Sequence, residues 1–141
     1  MNGPLVLGYD ESPSANAALT ATVELAAELK TSVVVVFGYY ISPLGGPGGG
    51  PLREALERMG EHALQRALTE LTTAGITAES RLLGQRPADA ILEVANDVGA
   101  RMIIVGTVGE NPITGAILGS VVLRLVQRST LPLLVIPTDE T

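Results

Sequence analysis

The run Val33, Val34, Val35, Val36 inside "SVVVVFG" (32–38) constrains this chain more than any other stretch. A strand with one face in water alternates apolar and polar residues, and an unbroken β-branched run does not. Burial on both faces is the condition of an inner strand of a parallel sheet. Parallel neighbours then need long crossovers, usually helices.

The flanking sequence supplies them. "PLVLGYD" (4–10) reads as a first strand ending on a carboxylate. In the following "SPSANAALTATVELAAELK", Ser12 is a helix N-cap and Pro13 a first helical residue. Ala18, Thr22, Val23, Ala26 and Ala27 recur there at helical spacing. "YYISPLGGPGGGP" (39–51) reads as a flexible loop without regular structure. The next segment, "LREALERMGEHALQRALTELTTAG", puts Leu56, Met59, Ala63, Ala67 and Leu71 on one face of a long amphipathic helix. "ITAESRLL" (76–83) alternates as a third strand. "RPADAILEVANDVG" is a helix opened by Pro87 and stopped by Gly99. "RMIIVG" is a fourth strand and "SVVLRLVQRS" a fourth helix. The last strand is "LPLLVIP" (131–137), which starts at Leu131. Pro132 opens it and Pro137 closes it, which suits a sheet edge.

Strands alternating with helices predict one doubly wound, Rossmann-like α/β domain over residues 1–141, with helices on both faces of a parallel sheet. Ligands of such sheets bind beyond the carboxyl ends of the strands, where strand order reverses. Asp10, Gly38 and Gly106 stand at such ends.

Composition narrows the function. The chain has no cysteine, which removes disulfides, thiol catalysis and thiolate metal sites and fits a cytoplasmic protein. No apolar run approaches the roughly 18 residues of a membrane span. The N-terminus lacks the basic flank of a signal peptide. A net charge of −6 without a basic stripe argues against a nucleic-acid partner. Lys30 is the only lysine and lies at the end of the first helix, so there is no P-loop. The only histidine, His62, reads as a solvated helix residue beside Glu61, with no nucleophile–base pair around it. Glu54, Glu57 and Glu61, with Arg53 and Arg58 between them, read as a solvated face. No catalytic residue and no metal ligand is expected.

The stretch "GTVGENPITGAILGSVV" (106–122) is the strongest motif. Gly106, Gly109, Gly119 and Ser120 fit the spacing Gly-x2-Gly-x9-Gly-Ser. Glycines let backbone N–H groups turn around an anion, and a helix N-terminus favours a phosphate. The same spacing also suits turn glycines and an N-cap serine, and spacing alone leaves both open. Asp10 is equally a ligand contact or a loop cap. Tyr39 and Tyr40 suit an adenine pocket border, a core wall or a dimer rim.

Together, "GYDES", "GQRPADAILEVA" and the long C-terminal segment from "IIVG" to "VIP" resemble the universal stress protein family over almost the whole chain. The resemblance implies a sheet of order 3-2-1-4-5 and, through the glycine spacing, the ATP-binding branch. It implies that Asp10 approaches the nucleoside or its metal and that Gly38 offers backbone to adenine, although Phe37 stands where a histidine is common. Val105 and Gly106 would flank the ribose and phosphates. Gly109, Gly119, Ser120 and Val121 would contact phosphates. Glu110 follows the second glycine where many members carry a basic or small polar residue. ATP, with Mg2+, is the first expected ligand; a carboxylate there repels a triphosphate unless Mg2+ intervenes, so AMP and cyclic AMP stay open behind it. The implied role is a nucleotide-dependent stress regulator with at most slow ATP hydrolysis, and a homodimer formed through the last strand. An interaction dimer of the same fold with an unused pocket is the alternative. A nucleotidyltransferase is the weaker third, since its histidine motif is absent.

Overall fold

A computed structural model describes residues 2–42, 49–108 and 118–138. The elements run β1 (Leu5–Gly8), α1 (Pro13–Leu29), β2 (Val33–Gly38), α2 (Gly49–Thr73), β3 (Ala78–Leu83), α3 (Pro87–Asp97), β4 (Met102–Gly106), α4 (Ser120–Arg128) and β5 (Leu133–Ile136). The strands form one sheet of order β3-β2-β1-β4-β5, as expected, and every neighbouring pair is parallel.

The valine run does what its composition demands. Val33 and Val35 pack with Leu5, Leu7 and Ile104 under Ala18 and Leu19 of α1 and Ala63, Ala67 and Leu71 of α2. Val34 and Val36 pack with Val6, Ile103 and Val105 under Ile91 and Val94 of α3 and Val122 and Leu125 of α4. All four valines are buried. Each such side chain contributes on the order of 1.5–3 kcal/mol by leaving water, so the sheet is held from both sides.

Local signals set the helix ends. Ser12 Oγ accepts the Ala15 N–H at 3.1 Å, and Pro13 opens α1. At the end of α3, Gly99 takes φ 62°, the Ala100 N–H reaches the Ala95 carbonyl at 2.9 Å and the Gly99 N–H reaches Asn96 at 3.3 Å. That is a Schellman stop.

Two expectations are corrected. Gly49, Gly50 and Pro51, read as loop, begin α2. Proline is tolerated there because first-turn N–H groups have no intrahelical partner. The buried face of α2 is also displaced: Gly60 is buried while Met59 is half-exposed. A Cβ on Gly60 would stand 2.5 Å from Leu82 Cδ1 and 2.8 Å from Phe37 Cδ1, so the glycine lets the helix settle on the sheet.

Strand order reverses between β1 and β4. The chain moves outward from β1 to β2 and β3, then crosses back to β4 on the other side. A crevice opens at the carboxyl ends of these strands.

Candidate functional site

The crevice is lined, among the described residues, by Asp10, Gly38, Val105, Gly106, Gly119 and Val121, all expected from the sequence. Gly8, Tyr9, Phe37, Pro87, Ile91 and Val122 line it as well and were not anticipated as wall. Their signal was present in part. Gly8 ends its strand as Gly38 and Gly106 end theirs, and Ile91 lies one helical turn beyond Pro87 on the sheet-facing side of α3. The wall is largely apolar. Asp10 is the one charged side chain on it among the described residues.

The turn from β1 into α1 is closed by its own side chains. Asp10 Oδ1 accepts the Ser12 N–H at 3.0 Å, so the capping role weighed for Asp10 is realised. Between them Glu11 holds a left-handed φ of 64°, uncommon without a glycine. Its carboxylate meets His62 Nδ1 at 3.0 Å and Arg66 Nη1 at 3.2 Å, both from α2. The hydrogen bond to His62, helped by Arg66, holds the Glu11 carboxyl below the usual carboxylate range. Tyr9 donates its hydroxyl to Asn16 Oδ1 at 2.5 Å, and burial pushes the phenol above its ordinary value. His62 is well exposed, as expected, and its partner is Glu11, not Glu61.

The connection from β4 to α4 is built differently. A Cβ on Gly106 would stand 1.9 Å from Ser14 Oγ and 2.5 Å from the Ser14 carbonyl, so glycine is required for α1 to cross the end of β4. Ser14 Oγ, fully buried, accepts the Val108 N–H at 3.2 Å and lies 3.4 Å from Thr107 Oγ1. The Gly119 N–H bonds the Thr107 carbonyl at 2.7 Å, tying the two ends of the connection together. Gly119 is the N-cap of α4 and supplies no side-chain cap. Ser120, weighed as that cap, is instead the first helical residue, exposed and off the crevice wall. Gly109 and Glu110 lie outside the described residues.

Gly38 also has a packing reason. A Cβ there would stand 2.8 Å from both Ala90 Cβ and the Gln85 carbonyl oxygen. The tyrosines after β2 are absent from the crevice wall. Tyr39 is buried and donates its hydroxyl to Glu57 Oε2 at 2.9 Å, which also takes Glu57 out of the purely solvated face. Arg86 stacks on the exposed Tyr40 ring, 4.5 Å from its centre.

A model of the universal stress protein family matches residues 1–137. The chain belongs to that family. A universal stress protein of Thermus aquaticus is 32% identical over 135 residues, covering 94% of this chain and 96% of the relative. A universal stress protein solved in complex with cAMP is 27% identical, with a TM-score of 0.74 over 99% of this chain and 100% of that one. The universal stress protein of Archaeoglobus fulgidus in complex with dAMP is 26% identical, with a TM-score of 0.72 over 96% of this chain and 99% of that one. No helix among the described residues of this universal stress protein is long and apolar enough to cross a membrane.

Proposed function

We propose that this universal stress protein binds an adenine nucleotide in the crevice at the carboxyl ends of β1, β2 and β4, and regulates a cytoplasmic partner according to its bound state. The observation that carries this reading is the N-terminus of α4, without a side-chain cap among the described residues, at the rim of an apolar crevice. Gly119 offers α4 no side-chain cap, so the first helical amides, with the helix dipole behind them, suit a phosphate. The apolar wall of Phe37, Ile91 and Val105 suits a base and ribose, with Asp10 as the polar contact and Gly38 as backbone. Val121 and Ser120 are the proposed phosphate neighbours at the helix start, and Gly109 joins them by the glycine spacing. Relatives solved with cAMP and dAMP support the ligand class.

Charge ranks the ligands. The described wall carries no cation to oppose a triphosphate, and Asp10 adds a negative charge. AMP and cyclic AMP therefore stand ahead of bare ATP. No group of three potential metal ligands occurs among the described residues, so Mg2+ would be held chiefly by the phosphates and water, with Asp10 within its chemistry. Calorimetry of the native protein with AMP, cyclic AMP and ATP, each with and without Mg2+, tests the proposal. Binding of none of them overturns it and favours the interaction dimer with an unused pocket.

The proposed assembly is a homodimer. Among the described residues β5 ends the sheet, with no strand on its outer side, and its residues are only half-buried. Leu123 and Val126 of α4 are exposed nearby in sequence. An open apolar edge invites pairing with a second copy. Light scattering at micromolar concentration reads the outcome, and a monomer there overturns it.

A further inference from the structure

From the hydrogen bonds around Ser14, we infer that this residue is the positioning residue of the phosphate end of the crevice. It rests on the nucleotide reading above, because it says what holds the proposed phosphate-binding helix end in place. Ser14 sits in the first turn of α1, which belongs to the other face of the sheet from α4. Its hydroxyl is fully buried and accepts the Val108 N–H at 3.2 Å. The neighbouring residue, Thr107, presents its hydroxyl at 3.4 Å to the same oxygen and its carbonyl to the Gly119 N–H at 2.7 Å. A continuous path thus runs from α1 through Ser14, across the end of β4, to the N-cap of α4.

Each link has a reason in the sequence. Gly106 lacks a side chain because Ser14 occupies that space. Gly119 lacks a capping side chain, so the direction of the first α4 amides depends on the backbone around it. Thr107 N–H is itself fixed to the Ile136 carbonyl at 3.2 Å, leaving Val108 as the first amide of the connection that needs a partner outside the sheet. Ser14 supplies that partner. Without it, a part-buried N–H is left to find another acceptor, and the exit from β4 loses its anchor to α1.

The consequence is selective. An anchor at the phosphate end acts on ligands that carry phosphate and leaves the nucleoside end, at Asp10 and Gly38, unchanged. Ser14→Ala is expected to weaken AMP about tenfold, the effect of an ordinary hydrogen bond lost with its partner left unpaired. Adenosine affinity is expected to stay within about twofold. A merely structural role would lower both alike. Ser14→Cys fills nearly the same space with a weak acceptor and serves as a second variant, with the same expected split.

Amide hydrogen exchange at Val108, measured by NMR without ligand, reads the anchor directly. Faster exchange in both variants, with AMP weakened relative to adenosine, supports the inference. Unchanged Val108 exchange overturns the anchor. Faster exchange with AMP and adenosine weakened equally, or neither weakened, overturns the positioning role. A native protein that binds neither ligand overturns the nucleotide reading and the phosphate role of Ser14 together, while Val108 exchange still reports whether the anchor exists.

Discussion

Two helices, α1 and α4, begin at the same end of the same sheet, and their first turns are finished in opposite ways. α1 has Ser12 on its N-terminal amides and Pro13 at its first position, with Asp10 closing the turn before it. α4 has Gly119 as its N-cap, and among the described residues no side chain caps its first amides. A helix end satisfied by its own side chains has little left for a ligand, whereas an end that lacks them keeps its donors and its dipole for an outside group. The difference tells a helix start that serves the fold from one suited to an anion. The glycine spacing alone did not draw that line.

The largest effect should come from the packing that brings the two starts together. Gly106→Val would place a Cβ against the Ser14 hydroxyl and 2.5 Å from the Ser14 backbone carbonyl, which cannot turn aside as a side chain can. We expect a loss of about 3 kcal/mol or more in urea unfolding, the upper range for overpacking. A loss below about 1 kcal/mol would mean that α1 does not need to lie so close to β4.

Making α4 resemble α1 should come next. Gly119→Asp gives the helix a charged cap at a φ of −74°, which any residue adopts. Stability should rise by a few tenths of a kcal/mol. AMP affinity should fall by about tenfold or more, since a carboxylate would then hold the amides and repel the phosphate. Gly119→Asn, a neutral cap, should lose less. Equal AMP binding by all three proteins would show that the α4 start is not the anion site. The converse change, Ser12→Ala, removes a real cap and should cost about 1 kcal/mol of stability. It should change AMP affinity less than Gly119→Asp does.

How much of this was legible in the sequence follows from the range of the forces involved. Strand and helix identities were readable because Val33 to Val36 and the α1 and α3 patterns report burial locally. The Ser12 cap and the Gly99 stop were readable because capping acts within a few residues. The start of α2 was misread because Gly49, Gly50 and Pro51 disfavour helix interiors but are tolerated in a first turn. Gly60 was missed because its reason lies in Leu82 and Phe37, distant in sequence. At the crevice, Asp10, Gly38 and Gly106 were placed by the rule of strand ends. The contacts of Ser14 with Thr107 and Val108, and of Glu11 with His62 and Arg66, span tens of residues and leave no local pattern.

The smallest expected effect concerns Glu11, the residue that ties the α1 start to α2. Its carboxylate is stabilised first by the hydrogen bond to His62 and then by Arg66, so its pKa is lower folded than unfolded. A carboxyl depressed in this way contributes stability above its unfolded pKa. That contribution disappears as pH falls through the folded value. Both partners are more than half exposed, so screening keeps the contribution below about 0.5 kcal/mol. Glu11→Gln should therefore be slightly less stable than the native protein at neutral pH. The gap should close on acidification through the carboxylate range and shrink with added salt. Paired urea titrations across that range test it. A gap that persists unchanged at acid pH would show that it does not come from the Glu11 charge, since the left-handed backbone at φ 64° is the same for glutamate and glutamine.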